Sequence, residues 1–445
     1  MSFTANTEFQ KSEMLKVCGV SAVDEFFDCI PRNIRPKTFN IPGGKSEFEV
    51  LQYFEKLAGQ NFSHLTSFLG GGYYDHYIPA AVDAIAGRSE FYTAYTPYQP
   101  ELSQGTLQAI YEYQSDICRL TGLDVSNASL YDGGTALYEA CQMALAATGR
   151  KKIIIDGGVS PIYRKMLMSY AANLSINIIE IPVSHGQSSR ENIYKVIDNE
   201  TAAVVMQNPN FFGVIDDHSD IARKCASAGA LSIQSVNPIA LGLLKTPGET
   251  GFDIATGEGQ PLGNPLSFGG PYLGLIAAKK ELARKMPGRI AGRTRDKAGR
   301  EGFVLTLQAR EQHIRREKAG SNICSNQALC ALRAHIYLSL LGSQGLKDVA
   351  QLCVDKAHYA KERLDAIPGV EVMKSSPTFH EFVIKLPVDA GECAGLMIER
   401  GFAAGFPLGR YYPGMENYLL VAVTEKRTKH EIGQFAEALE DTVCH

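Results

Sequence analysis

The stretch GALSIQSVNPIALGLLKTPGETGFDIATGEGQPLGNPLSFGGPYLG, from Gly229 to Gly274, decides the fold. A short apolar run over residues 230–233 ends in Gln234, Ser235 and Asn237. A second, over 253–256, opens into the loop GEGQPLG, and a third, over 273–278, follows the turn FGGPY. Apolar runs that end in small polar residues and then glycines predict strands whose carboxyl ends border a ligand crevice in an open parallel sheet.

Upstream, the same alternation recurs. The spacing predicts strands over 128–131, 153–155, 176–181 and 202–206, and helices over 107–121, 136–147, 161–172, 191–197 and 221–228. Repeated strand–helix units of this length predict a doubly wound, mostly parallel sheet. Leu107, Ile110, Tyr111, Ile117 and Cys118 form one helical face, and Gly122 fits its stop. The turn Asp132-Gly133-Gly134-Thr135 opens the next helix, where free N–H groups favour an anion; Gly-Gly before a helix is common, so the signal is weak by itself.

Four regions follow from this pattern: an N-terminal helical arm over 1–60, a large α/β domain over 61–320, a connecting helix over 321–345 and a small α+β domain over 346–445. The arm carries short amphipathic segments at 8–17, 21–29 and 46–58 between prolines, a pattern suited to packing on a neighbouring domain or subunit. Residues 321–342 read as one long helix, followed by a helix over 346–366, strands over 370–373, 381–386 and 419–424, and helices over 391–400 and 429–439.

With 445 residues, 45% hydrophobic and 21% charged, the chain is long enough for two or three domains around a sizeable core. A net charge of −4 gives no reason to expect nucleic acid or an anionic membrane as partner. Ten scattered cysteines make no CxxC pair, which excludes zinc knuckles and dithiol motifs and fits free thiols in a cytoplasmic protein. The N-terminal stretch, with Glu8, Glu13, Asp24 and Glu25, is unlike a transit peptide, and no apolar run is long enough to span a bilayer.

Two segments stand out from the alternation. AYTPYQPE, over 94–101, is held extended by Pro97 and Pro100, and Tyr92, Tyr95 and Tyr98 recur every third residue; they read either as packing rings or as a polar-tipped surface facing one way. Residues 284–318 concentrate positive charge, with Arg310, His313, Arg315, Arg316 and Lys318 opposed by Glu311 and Glu317. That is a solvated basic face or an anion-attracting patch. Asp216, Asp217 and His218 read as a helix cap and not as metal ligands, and no metal site is expected. Arg410, in FPLGRYYPG, suits either a carboxylate or a loop salt bridge.

Three stretches together resemble one family. YTPYQPELSQGTLQAIYEYQSDICRLTGLDVSNASLYDGGTALYEA, GEGQPLGNPLSFGGPYLG and AREQHIRREKAGSNICSNQALCAL are similar to the glycine decarboxylase P-protein of the glycine cleavage system, in its split bacterial form, α subunit type. The resemblance covers most of the chain. It implies the fold-type-I architecture of pyridoxal-phosphate-dependent transferases, with large and small domains, and an α/β subunit pair related by duplication.

In that fold the quoted stretch supplies an Asp to the pyridine nitrogen and a Schiff-base Lys before the glycine turn. Here Gln234 takes the first position and Gln260–Pro261 the second. Proline has no amine, and a neutral Gln cannot hold a pyridinium charge. The resemblance therefore implies no catalytic or cofactor-binding residue in this chain's own crevice and pyridoxal phosphate bound covalently by the β subunit. The reaction implied is glycine plus the lipoyl group of the H-protein giving carbon dioxide and aminomethyl-dihydrolipoyl H-protein, with little activity in this chain alone. Tyr95, Tyr98, Gln99 and Glu101 would reach the β site, and Arg310, His313, Arg315 and Asn322 would line the approach for glycine or the lipoyl arm. Two other readings are a scaffold that holds β and docks the H-protein, and an independent pyridoxal-phosphate enzyme using Lys245.

Overall fold

In the computed structural model the described residues are 6–36, 38, 40–374 and 376–444. Within the arm, residues 1–5, 37 and 39 lie outside them. The chain divides into two units, Met1–Ser63 and His64–His445.

The first unit holds helices α1 (Glu8–Val17) and α2 (Glu47–Ala58), each opened by a reciprocal capping box, Thr7 with Gln10 and Ser46 with Glu49. Residues 21–29, read as a helix, form only the 3-10 segment Val23–Phe27. No described residue of this unit is buried. Val50, Leu51, Phe54 and Leu57 make one apolar stripe along α2 and are 39–58% exposed.

In the second unit the expected sheet is present. Its seven strands are β1 (Val125–Ser126), β2 (Lys152–Asp156), β3 (Asn177–Ile181), β4 (Thr201–Asn208), β5 (Leu231–Val236), β6 (Ile254–Glu258) and β7 (Gly274–Ala278), in the order β1-β7-β6-β5-β4-β2-β3. Neighbours from β3 to β6 run parallel; β7 is antiparallel to both β6 and β1. Alternate side chains enter different layers, as a pleated strand requires. Ile153, Ile155, Ala203 and Val205 pack under α4 (Gly133–Thr148) and α5 (Pro161–Ala171). Ile154, Val204 and Met206 face α6 (Arg190–Val196) and α7 (Ser219–Ala228). Toward β7, Val236, Ala255 and Leu275 join the core with α3 (Gln104–Thr121) and the first half of α8 (Ala328–Asp365).

Three expectations need correction. The strand read over 128–131 lies instead at Val125–Ser126; farther on, only Leu130 pairs, with Gly274. The basic stretch contains an antiparallel hairpin, β8 (Ile290–Arg295) with β9 (Glu301–Thr306), whose charges sit opposite one another, Arg295 against Glu301. The long helix starts at Ala328, not 321, because tertiary contacts claim the intervening residues: Asn326 Nδ2 donates to Ala128 O and Gln327 N to Ser129 Oγ. The helix breaks at Gly342, where the sequence expects it, with φ +62°, a conformation that glycine adopts without the Cβ penalty.

Beyond the break, α8 packs with α9 (Ala390–Glu399) and α10 (Lys429–Cys444) on a four-stranded antiparallel sheet. Its order is β10 (Glu371–Val372), β11 (Glu381–Lys385), β13 (Tyr418–Ala422), β12 (Phe406–Pro407). Phe68 stacks on Phe435 at 4.0 Å, which ties the start of the large part into this smaller core. Among the described residues no helix is long and apolar enough to cross a membrane.

Candidate functional site

The strand order reverses between β2 and β4, so a crevice is expected outside the carboxyl ends of the neighbouring strands. One is present there. Ser160 and Tyr163 follow β2, Gln207 and Pro209 lie at the end of β4, Ser235 to Pro238 at the end of β5, and Glu258 ends β6. Its free volume is about 30 Å³, room for a water or two. Side chains of the chain itself occupy the rest.

Glu258 joins the crevice to the N-terminus of α4. Asp132 Oδ1 accepts from Thr135 N (2.8 Å), and Glu258 Oε2 accepts from Gly133 N (2.9 Å). Glu258 Oε1 also accepts from Gln260 N (2.9 Å) and Leu273 N (3.1 Å). Burial pushes the Glu258 carboxyl up, against the pull of these three donors. All three contacts are N–H donors, the pattern that a carboxylate takes.

Tyr74 closes the opposite side. Its hydroxyl donates to Glu381 Oε2 (2.7 Å), and Gly71 N donates to Glu381 Oε1 (2.6 Å). Complete burial pushes Glu381 up to about 7 despite those donors. The His380 ring lies 4.3 Å from that of Tyr74, and burial holds its pKa well below the ordinary value.

Of the residues singled out at this crevice, Gln234 is buried inside β5, but Ser235, Val236 and Asn237 line the cavity, because the strand runs on to Val236. Gln260 is locked: its Oε1 accepts from Tyr74 N, and its Nε2 donates to Tyr74 O and Asn264 O. Pro261 follows in the turn and does not line the cavity. Lys245 lies at the surface, 3.9 Å from Asp217 Oδ2, so the one amine proposed for an independent enzyme is outside the crevice.

The remaining candidates gather elsewhere. Arg289 lies over the Tyr98 ring and donates to its hydroxyl (3.2 Å), and the ring of His313 meets Tyr98 edge-on at 5.9 Å. Tyr95, Gln99 and Glu101 are exposed on the same loop, away from any shared contact with that cluster. Arg310 Nη1 donates to Met286 O; with Arg284, Lys285, Arg315 and Lys318 it lines a cavity of about 230 Å³. Asn322 borders an adjoining cavity of about 330 Å³, which shares Glu139, Gln142 and Ser321 with the first. Burial raises Glu139, between the two, to about 7. Arg410 rests over the Tyr411 ring, not on an acid. A further cavity, about 600 Å³ between Arg164, Tyr412 and Met373, includes none of these residues.

Sequence reading missed Glu258, Tyr163 and Glu381. Glu258 lies within GEGQPLG, and a lone acid closing the run Ile254-Ala255-Thr256-Gly257 is its signal in the sequence. His76, Cys353 and Glu425 also come together unannounced, their potential ligand atoms within 4.8 Å of one another. His76 Nδ1 already bonds to Glu425 Oε2 (2.6 Å), Cys353 Sγ donates to the same oxygen (3.5 Å), and the Lys356 ammonium bonds to Glu425 O. A cation inside this group would displace the bonds that join its three members, and it reads as a clasp.

The fold recurs in sphingosine-1-phosphate lyase of Burkholderia pseudomallei (TM-score 0.66, 16% identity, 93% of this chain and 94% of that one) and in glutamate decarboxylase of Lactobacillus brevis (0.68, 12%, 95% and 97%). It is fold type I of the pyridoxal-phosphate-dependent enzymes. Pyridoxal phosphate does not fit this chain's crevice. The free volume is too small for a ring bearing a phosphate, Glu258 sits where the helix N-terminus would take an anion, and the side chain in the turn is the amide of Gln260. A crystal structure of glycine decarboxylase (P-protein) of the glycine cleavage system, in inhibitor-bound form, superposes with a TM-score of 0.93 at 42% identity, over 99% of this chain and 100% of that one. The probable glycine dehydrogenase (decarboxylating) subunit 1 of Maridesulfovibrio salexigens is 55% identical over 443 residues, and that of Geotalea uraniireducens 57% over 440, covering at least 99% of each chain. Residues 1–439 match the family described as glycine cleavage system P-protein, and the chain belongs to that family.

Proposed function

We propose that this chain is the α subunit (subunit 1) of a two-chain glycine dehydrogenase (aminomethyl-transferring), completing an active site whose pyridoxal phosphate is held by the β subunit. The observation that carries the reading is the filled crevice: in a chain belonging to the P-protein family, about 30 Å³ remains where the fold places its ligand. The relatives named subunit 1 support a partner chain.

The reaction cleaves the bond between the α-carbon and carboxyl of glycine and releases carbon dioxide. The aminomethyl group forms a C–S bond to lipoyl sulfur as the lipoyl disulfide opens, the second sulfur ending as a thiol. Pyridoxal phosphate, when bound by β, supplies the electron sink. This chain's part is positioning and charge. Tyr98, braced by Arg289 and His313, presents with Tyr95, Gln99 and Glu101 a polar-tipped wall; Arg310 and Arg315 line a basic cavity, and Asn322 the one adjoining it, an arrangement suited to the glycine carboxylate or the approach of the lipoyl arm.

In the assembled complex, Tyr98→Phe and Arg315→Ala are each expected to lower exchange of the glycine carboxyl with bicarbonate by about tenfold or more, about 1.4 kcal/mol in the barrier, while gel filtration shows normal assembly. Full activity in both variants contradicts the reading and leaves a scaffold role.

A further inference from the structure

We infer that Glu258 is an internal stand-in for an anion: its carboxyl group fills the cradle that a phosphorylated ligand would need, and Tyr163 covers the glycines that would admit one. The inference rests on the reading above that this chain carries no cofactor of its own. Helix N-termini attract anions because their first N–H groups lack partners within the helix. In α4 two of those donors are taken: Gly133 N by Glu258 and Thr135 N by Asp132. Glu258 draws two further N–H groups, from Gln260 after β6 and Leu273 before β7, so one side chain ties three segments together.

The glycines of the turn face the chain itself and no open space. A Cβ on Gly133 would lie 2.5 Å from the Tyr163 hydroxyl oxygen and 2.9 Å from Glu258 N. One on Gly134 would lie 2.7 Å from Met166 Sδ and 3.1 Å from the Tyr163 ring. The turn that in principle suits a phosphate therefore serves the packing of Tyr163 and the seating of a carboxylate.

The test is thermal unfolding of the purified full chain, alone and with its partner, in sodium formate, in inorganic phosphate and in sodium chloride of matched ionic strength. The wild type is expected to respond to none of them beyond the chloride control. Glu258→Ala, which orphans three N–H groups around a carboxylate-sized space, is expected to unfold several degrees lower and to regain much of the loss, saturably, with formate. Glu258→Gln, which still fills the space, is expected to lose less and not to respond. Should Glu258→Ala fail to fold in plain buffer, recovery of folded protein on refolding with formate takes the place of the Tm shift, and no recovery counts against the inference. A Glu258→Ala chain indifferent to both anions, or a wild type stabilised by either, overturns it. The readout is independent of turnover. Fully active Tyr98 and Arg315 variants would defeat the functional reading and leave a formate-rescued Glu258→Ala standing, and the reverse pattern would defeat only this inference.

Discussion

Replacing Glu425 by alanine is expected to cost the chain about 3 kcal/mol, because it leaves several buried donors around its carboxylate unpaired. Glu425 Oε2 binds His76 Nδ1 at 2.6 Å and accepts from Cys353 Sγ, and Oε1 accepts from Tyr77 N at 2.7 Å. The three segments are distant in sequence: the loop before the large sheet, helix α8 and the turn after β13. Burial raises the Glu425 carboxyl, but the hydrogen bond and charge of His76 and the Tyr77 N–H outweigh it and hold the group at about 2, against an ordinary 4.5. A depressed carboxyl adds stability that is fully present above pH 4.5 and lost as pH falls toward 2, in all about 3 kcal/mol. Denaturant titrations at pH 7 should show the loss in Glu425→Ala. An acid series should show the wild type approaching the variant between pH 4.5 and 2. Equal midpoints at pH 7 would mean that the clasp contributes nothing.

Deleting residues 1–63 is expected to leave the His64–His445 unit folded while weakening association with the partner subunit by about two to four orders of magnitude in Kd. Among the described residues, none of the hydrophobic clusters includes a residue before Phe68, so the core does not depend on the arm. Among the described residues of the arm, conversely, none is buried. Covering the half-exposed Val50, Leu51, Phe54 and Leu57 would gain about 3–6 kcal/mol, taking roughly half the value of full burial for each. At about 1.4 kcal/mol per tenfold this gives the stated loss in Kd. Sedimentation of the mixed subunits measures it, and Leu51→Asp with Phe54→Asp in the full chain is the version that leaves the length intact. Unchanged association in both would exclude the arm from the interface.

The parallel sheet was legible because its buried strands are short β-branched runs, as in Ile153–Ile154–Ile155, separated by amphipathic helices. The crevice was legible as a place, since glycines and polar residues cluster at the strand ends. What fills it was not, because the partners of Glu258 come from Gly133, Gln260 and Leu273, and those of Glu381 from Gly71 and Tyr74. No local pattern encodes such long-range pairings. The hairpin over 290–306 was hidden for a related reason: its arginines look like a charge cluster until cross-strand register sets Arg295 opposite Glu301. Helix α8 was extended too far back because residues 321–327 have no helix breaker other than their tertiary hydrogen bonds to Ala128 and Ser129.

The central claim is that this chain takes part in glycine decarboxylation without holding the cofactor. Its most direct test is the absorbance spectrum of the purified chain with added pyridoxal phosphate, alone and mixed with its partner subunit, followed by borohydride reduction and peptide mapping. No Schiff-base band and no labelled peptide are expected from this chain, with band and exchange activity appearing only in the mixture. A reducible Schiff base on a lysine of this chain alone would contradict it.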